Sequence, residues 1–438
     1  MAGTDTIFAR ATADGIAGVA VLRISGPGAF RAVERLTGGK LPSPRQAALR
    51  TLSDPADHSP IDRALVLLFP APHSFTGEDV AELQCHGSRA VIAELYRVLA
   101  AMEGLRPAEA GEFTRRAFDN DRMDLTQVEG LADLLQAETA AQQRQALRQM
   151  DGALGRLYDG WRDRIVRALA HVEAEIDFPE EDLPGDVLAP VRATVLDLKR
   201  EIAGHLADDN RGERLRDGYR IAIAGRPNVG KSSLLNALAR RDVAIVSDIA
   251  GTTRDVIEVH LDIAGYPVIL ADTAGLRETS DPVEREGVAR SARRMAEADL
   301  VLLVVEPGNM EAETDGVPAE RLLLVNKIDT HPSLEIPAGA VALSARSGEG
   351  LGSLIAAIRE RLDISPAAHS DAAPLTRARH RQALERALAC LDRFGGAGLP
   401  ELAAEDLRLA VREIGRITGL VDVEDLLDVI FRDFCIGK

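Results

Sequence analysis

Cysteine is scarce in this chain of 438 residues: three occur, Cys85, Cys390 and Cys435, and no two form a CxxC pair. That argues against a disulfide framework and against structural zinc, and it fits a reducing cytoplasm. Long apolar runs are missing too. The most apolar stretch, Leu300 to Val305, is far too short to span a bilayer and reads instead as a buried strand. The first twenty residues carry Asp5, Arg10 and Asp14 without the apolar core of a signal peptide, so none is expected. Positive charge is also in deficit, with a formal net charge of −17. A protein that grips nucleic acid with its whole surface is usually basic. Any RNA would have to be met by a local patch or a basic partner, and solubility is the plainer account of the acidity. There is no internal repeat and no low-complexity tract.

What is present suffices for packed cores. Hydrophobic residues make up 46%, and the length suggests two to four domains of roughly 150 residues each. Gly18–Ile24, Ala64–Phe69 and Asp79–Cys85 read as strands. Pro27–Leu36 and Arg89–Ala101 read as helices, so residues 1–120 are predicted to be an α+β domain. From Leu125 the texture becomes helical, with Val128, Leu131, Leu134 and Leu135 at helical intervals. A break rich in acid and proline follows at Asp177–Pro184. Leu188, Val191, Val195, Leu198, Ile202 and Leu206 then mark another amphipathic helix. Strands return at Arg220, and helices resume after Ser365. Their stripes are Leu384, Leu388 and Leu391; Leu407, Val411, Ile414 and Ile417; and Val423, Leu426, Ile430 and Phe434. This tail is short for a separate domain, so it is expected to pack on the helices of 125–210. The predicted division is 1–120, a helical part 121–215, an inserted α/β domain 216–365, and a second helical part 366–438.

The chemistry begins at Tyr219–Leu238, where an apolar strand runs into Gly225-Arg-Pro-Asn228-Val229-Gly230-Lys231-Ser232-Ser233 and then a helix. Strand, glycine-rich loop and helix are the setting a phosphate-binding loop requires. The glycines let backbone N–H groups approach phosphate oxygens, and the helix start at Lys231 adds a positive dipole end. Lys231 suits the β- and γ-phosphates, and the Ser232 hydroxyl suits Mg²⁺.

Further parts follow in order. Asp248-Ile249-Ala250-Gly251-Thr252-Thr253, with Ser247 before it, reads as a loop that orders on the γ-phosphate, with Thr253 as a second hydroxyl for Mg²⁺. A plain polar connector is the alternative. Asp272-Thr273-Ala274-Gly275 ends an apolar run. Its Asp can hold Mg²⁺ through water, and its glycine amide can sense the γ-phosphate. Asn326-Lys327-Ile328-Asp329 ends another apolar run. Asp329 matches the N1–H and exocyclic amine of guanine, which adenine lacks. Ser344-Ala345, followed by Arg346, offers a backbone N–H to guanine O6. Together these predict a guanine-nucleotide α/β domain with its loops at the carboxyl ends of parallel strands. The residue after DTAG is Leu276, where Ras-like proteins carry the water-orienting glutamine. No arginine finger is evident. Asn228 could supply an oxygen to a monovalent cation, or could be only a turn residue.

With these motifs in hand, the chain resembles the MnmE (TrmE) family of tRNA-modification GTPases. The likeness runs end to end: LRISG (22–26), FTGED (75–79), GEFT (111–114), RAFDN (116–120), GRPNVGKSSLLN, DIAGTTRD, DTAGLRE and the terminal Cys435-Ile-Gly-Lys438. The resemblance implies K⁺-assisted GTP hydrolysis, with Asn228, Ser247, Ile249 and Thr252 around the ion and Glu284 positioning water through an intermediary. It implies an N-terminal folate-binding-like domain that takes a tetrahydrofolate one-carbon carrier (the 5,10-methylene or 5-formyl form). The matching positions are Arg23, Glu82, Arg122 and Lys438. Arg122 stands where lysine is usual, which keeps the charge but changes the geometry. Cys435 would be a reactive thiol or simply a small buried residue. The resemblance also implies a discontinuous helical domain, an inserted Ras-like P-loop domain, a homodimer, the FAD partner MnmG (GidA), and a C5 modification of wobble uridine in tRNA. The rivals are a switch GTPase of ribosome assembly, which usually appends a basic RNA-binding domain, and a folate enzyme with a regulatory nucleotide domain.

Overall fold

The structure is a computed structural model that describes residues 5–177, 188–207, 210–241, 244–245, 258–272, 295–307, 321–331, 335–362, 374–396 and 399–421, with 427, 430, 431, 434 and 437. The chain forms two compact units. One comprises Met1–Ala132, Gln149–Leu196 and Arg386–Lys438, and the other Asp133–Arg148 and Asp197–Glu385.

The first unit is built on a six-stranded sheet. Its strands are β1 (Thr6–Arg10), β2 (Ala17–Ser25), β3 (Ala48–Ser53), β4 (Pro60–Phe69), β5 (Val80–Gly87) and β6 (Leu105–Pro107), in the order β3-β4-β5-β2-β1-β6. Only the β1–β6 pairing is parallel. Side chains alternate across a strand, and here the two faces meet different partners. Leu22, Ile24, Val66, Leu68, Ala81 and Leu83 turn to helices α1 (Ala29–Leu36) and α2 (Arg89–Ala100), which contribute Val33, Leu36, Leu95 and Leu99. On β1, Ile7 and Ala9 pack instead with Phe113 of α3 (Glu112–Asp119).

Helices α4 (Leu125–Gln136), α5 (Ala140–Met150) and α6 (Ala153–Asp177) follow. The helical texture from Leu125 is thus three helices. Gly130 of α4 marks a close crossing, since a Cβ there would stand 2.6 Å from the Met150 nitrogen. Along α6, Leu154, Tyr158, Trp161, Ile165, Ala168 and Val172 form one buried stripe. It packs on the C-terminal helix Pro400–Thr418, which buries Ala403, Leu407, Ala410, Ile414 and Ile417. The tail therefore does pack on the earlier helices, as the apolar stripes predict. Leu427, Phe431 and Phe434 cluster with Leu125, Val128 and Leu131. Val423 and Leu426 lie outside the described residues.

The second unit holds α7 (Leu188–Leu206) from Asp197 onward, α8 (Arg211–Asp217) and a second six-stranded sheet. Its strands are β7 (Tyr219–Ala224), β8 (Glu258–Ile263), β9 (Tyr266–Asp272), β10 (Leu300–Val305), β11 (Arg321–Val325) and β12 (Val341–Ala342), in the order β12-β11-β10-β7-β9-β8. All pairs are parallel except β8–β9. Every residue of β10 is buried, as in a sheet covered on both faces. Helices α9 (Lys231–Ala239) and α10 (Leu351–Arg361) supply Leu234, Leu238, Leu354 and Ile358 to one of its cores.

The sequence reading missed β1, β3, β6, β8, α3, α8 and α10. β1 and β6 are short, and β3 is an edge strand with charges among its apolar residues. α3 (EFTRRAFD) hides its apolar side among charges, and one of those charges, Arg116, is itself buried.

Candidate guanine-nucleotide site and a second site in the N-terminal sheet

β7 delivers the chain to the phosphate loop. Gly225 has φ +139°, and a Cβ there would run into the carbonyl oxygen of Val304 on β10. Gly230 has φ +98°, and a Cβ would strike the Asn326 amide. Glycine is needed at both positions for close approach as well as for turning. Val229 is the loop's apolar anchor, 5% exposed in the core of the unit. Asn228, Ser232 and Ser233 are exposed. The Lys231 ammonium donates to the carbonyls of Gly225 (2.6 Å) and Arg226 (2.8 Å), so it lies over the loop, within reach of an anion placed there.

The Asn326-Lys327-Ile328-Asp329 segment is brought directly onto this loop. Asn326 is 2% exposed. Its amide donates to the Val229 carbonyl at 2.8 Å, and its Oδ1 accepts from the Ala345 N–H at 3.0 Å. One side chain thereby ties three segments that are far apart in sequence. Lys327 donates to the Asn228 carbonyl at 2.8 Å and to Glu306. Both Asn228 (φ 66°) and Lys327 (φ 64°) hold left-handed backbone. For non-glycine residues that costs about 1–3 kcal/mol each and persists only where the surroundings enforce it. Asp329, in the short 3₁₀ turn Ile328–Thr330, is exposed.

The backbone N–H groups of Ser344 and Ala345, expected to face guanine O6, have acceptors within the protein. Ser344 donates to the Glu349 carbonyl (3.0 Å) and Ala345 to Asn326. Ser344 is buried and its hydroxyl accepts from the Ser347 N–H at 3.1 Å. This tight turn uses its own donors, so guanine O6 would have to displace Asn326 from Ala345. Arg346 is exposed beside them. Asp272 ends β9. Ser247, Asp248, Ile249, Ala250, Gly251, Thr252, Thr253, Thr273, Ala274, Gly275 and Glu284 lie outside the described residues.

In the first unit, Arg23 of β2 stands opposite Glu82 of β5 in register. The Arg23 guanidinium donates to Glu82 Oε1 from Nε (3.1 Å) and lies 3.0 Å from it through Nη2. It also sits 5.2 Å from the Phe75 ring and 5.7 Å from the Phe113 ring. Arg122 is exposed, and its stem borders Gly77. Gly437 abuts the backbone of Arg10 and Ala11, next to the strand pair that carries Arg23. Cys435 and Lys438 lie outside the described residues. The charged pair beside two rings suits a flat heterocycle with donors and acceptors on its edge.

A buried network holds this corner, and sequence reasoning missed it. Ser25 Oγ donates to Glu78 and lies 2.7 Å from Thr76 Oγ1. Arg116, 7% exposed in its side chain, donates to Asp5, Glu78 and Glu112. Asn120 donates to the Thr76 carbonyl at 2.8 Å. The LRISG, FTGED, GEFT and RAFDN segments therefore meet in one polar cluster under the loop that carries Phe75 and Gly77. Burial alone would raise the Glu112 carboxyl, but hydrogen bonds from Arg106, the Glu109 N–H and Arg116 outweigh it and hold the group below its ordinary value. The available signal was Arg116 itself, an arginine three residues from Phe113 and next to Ala117 on the apolar face of α3. Cys85 is buried and its thiol is pushed up to about 11, chiefly by that burial, so it stays protonated near neutrality.

Among the described residues, no helix is long and apolar enough to cross a membrane, and no group of three or more His, Cys, Asp or Glu is placed to hold a metal ion.

The family model of the MnmE helical domain matches residues 125–435, and that of the GTP-binding protein TrmE N-terminus matches 6–122. The tRNA modification GTPase MnmE of Parvibaculum lavamentivorans is 55% identical over 99% of this chain and 100% of its own length. That of Rhodospirillum rubrum is 55% identical over 99% of both. The mitochondrial 5-taurinomethyluridine-[tRNA] synthase subunit GTPB3 of Danio rerio is 48% identical over 100% of this chain and 94% of its own. With family models matching both parts and full-length relatives above half identity, this chain belongs to the tRNA modification GTPase MnmE family.

Proposed function

We propose that this chain is a K⁺-dependent GTPase of tRNA wobble-uridine modification. With the flavoprotein MnmG (GidA) it would add an aminomethyl or carboxymethylaminomethyl group at C5 of uridine 34. The observation that carries the GTPase part is the joint held by Asn326, which fixes the base-reading turn to the phosphate loop. On binding, the Lys231 ammonium moves from the Gly225 and Arg226 carbonyls to the β- and γ-phosphate oxygens. Backbone amides from Asn228 to Ser233 cradle the phosphates. Asp329 accepts the two guanine donors and so rejects adenine.

Ser232 and Thr253 would hold Mg²⁺, which neutralises developing phosphate charge. Ser232, exposed at the start of α9, fits that use. Asn228, Ser247, Ile249 and Thr252 would hold K⁺ in place of an arginine finger, and Glu284 would order the water. Arg23, Glu82, Arg122 and Lys438 would bind tetrahydrofolate, the one-carbon source. The four-part division at 120, 215 and 365 would separate folate binding, helical coupling and the nucleotide switch. The protein would act as a cytoplasmic homodimer whose nucleotide domains close on GTP. GTP hydrolysis would drive a conformational step and would not supply carbon.

The decisive experiment compares wobble-uridine nucleosides from cells with and without this gene. The modified nucleoside should disappear on deletion, and unchanged tRNA rejects the reading in favour of a ribosome-assembly switch or a folate enzyme. GTP turnover should be much faster in K⁺ than in Na⁺, and equal rates remove the ion from Asn228. Asp329→Asn should lower GTP affinity by roughly two orders of magnitude or more and favour xanthine nucleotides. Retained guanine preference contradicts the Asp329 assignment.

A further inference from the structure

Three parallel strands end side by side at the nucleotide site, in the order β11-β10-β7. β7 leads into the phosphate loop, and β11 leads into Asn326 and Lys327. The middle strand, β10, ends at Val305, which pairs with Val325, and its next residue is Glu306. Glu306 thus stands between the base-reading turn and the phosphate loop. Its carboxylate accepts from the Lys327 ammonium, which also reaches over to the Asn228 carbonyl at 2.8 Å. We propose that Glu306 is a positioning residue of the nucleotide site. It fixes and neutralises Lys327, so that Lys327 clamps Asn228 in its left-handed conformation.

The physical case is one of orientation. A lysine is a compact, strongly hydrated charge on a four-carbon stem with many rotamers. The two side chains are 42% and 39% exposed, and an ion pair so open adds little to stability. It can still select one rotamer, here the one that bridges to the phosphate loop. Charge matters as well. Lys327 touches the carbonyl of the same residue whose side chain is the candidate K⁺ ligand. An uncompensated ammonium there opposes a second cation, and Glu306 removes that opposition. This inference deepens the GTPase reading and rests on it.

The test measures GDP affinity, KM for GTP, kcat, and the K⁺ concentration for half-maximal turnover in the full-length protein. Glu306→Ala should weaken GDP and raise KM about 5- to 20-fold, the scale of one hydrogen bond. It should also raise the K⁺ requirement, with kcat at saturating GTP and K⁺ within about twofold of wild type. Glu306→Gln keeps an acceptor but not the charge. It should recover most of the affinity while keeping the raised K⁺ requirement. In a Lys327→Ala background, Glu306→Ala should do nothing further. Unchanged affinity and K⁺ requirement in Glu306→Ala overturns the proposal, as does an equal loss with Lys327 already absent. Failure of the wild-type protein to bind guanine nucleotides would instead remove the GTPase reading beneath it.

Discussion

The two sheets place their functional residues in different ways. In the mostly parallel sheet of the second unit, the candidate site lies beyond strand ends, and most of its candidate residues are consecutive in one loop or turn. In the mixed sheet of the first unit, the candidate site lies on a face. Arg23 and Glu82 are 59 residues apart and meet only because β2 and β5 pair in that register. A site at strand ends depends on local backbone conformation, so it leaves a compact motif. A site on a sheet face depends on register, and a slip of one residue would send its side chains to the other side.

The contrast can be broken or sharpened by experiment. The largest effect is expected at Lys231, whose ammonium lies on the phosphate-loop carbonyls of Gly225 and Arg226. Lys231→Ala should lower GTP turnover by roughly 10²–10³-fold, the usual loss for one transition-state charge stabiliser. It should leave the proposed folate binding intact. A parallel loss of folate affinity would mean that the two sites are not separable in the way their sheets suggest.

Arg116 comes next. Arg116→Met removes the cation shared by Asp5, Glu78 and Glu112; Arg106 still pairs with Asp5 and Glu112, so Glu78 bears most of the loss. The cost should be about 3 kcal/mol or less, the lower end for breaking a buried ion pair from one side. Denaturant unfolding of the first unit should shift accordingly, and folate affinity should fall with the loosened Phe75–Asp79 loop. Unchanged unfolding would show that the cluster does not hold this corner together.

The smallest effect is that of pH. Glu112 is held below its ordinary value of 4.5 in the folded protein. A lowered carboxylate contributes stability that is complete above that value and is lost as pH falls through the folded-state value. The first unit should therefore weaken progressively below pH 4.5, and Glu112→Gln should flatten that dependence. An acid profile identical in the variant would remove Glu112 from the account.

Legibility followed the same divide. The phosphate loop, the Asn326–Asp329 turn and the strands before them were readable because each is continuous in sequence. The burial of β10 was readable because an all-apolar run has little else to do in a chain without membrane-length segments. β1, β3, β6 and α3 escaped because they are short or mix charge with apolar residues. The role of Glu306 escaped because a lone acid after a strand has many uses.

The sequence by itself determined the phosphate loop, the strands that lead into it and the apolar stripes of the helices, all products of neighbouring side chains and backbone preference. Only the tertiary structure decided that Asn326 takes the Ala345 donor, that Arg116 lies buried among three acids, and that Glu306 sits between two loops. Those outcomes depend on which strands lie side by side, and strand order is set by packing across the whole unit.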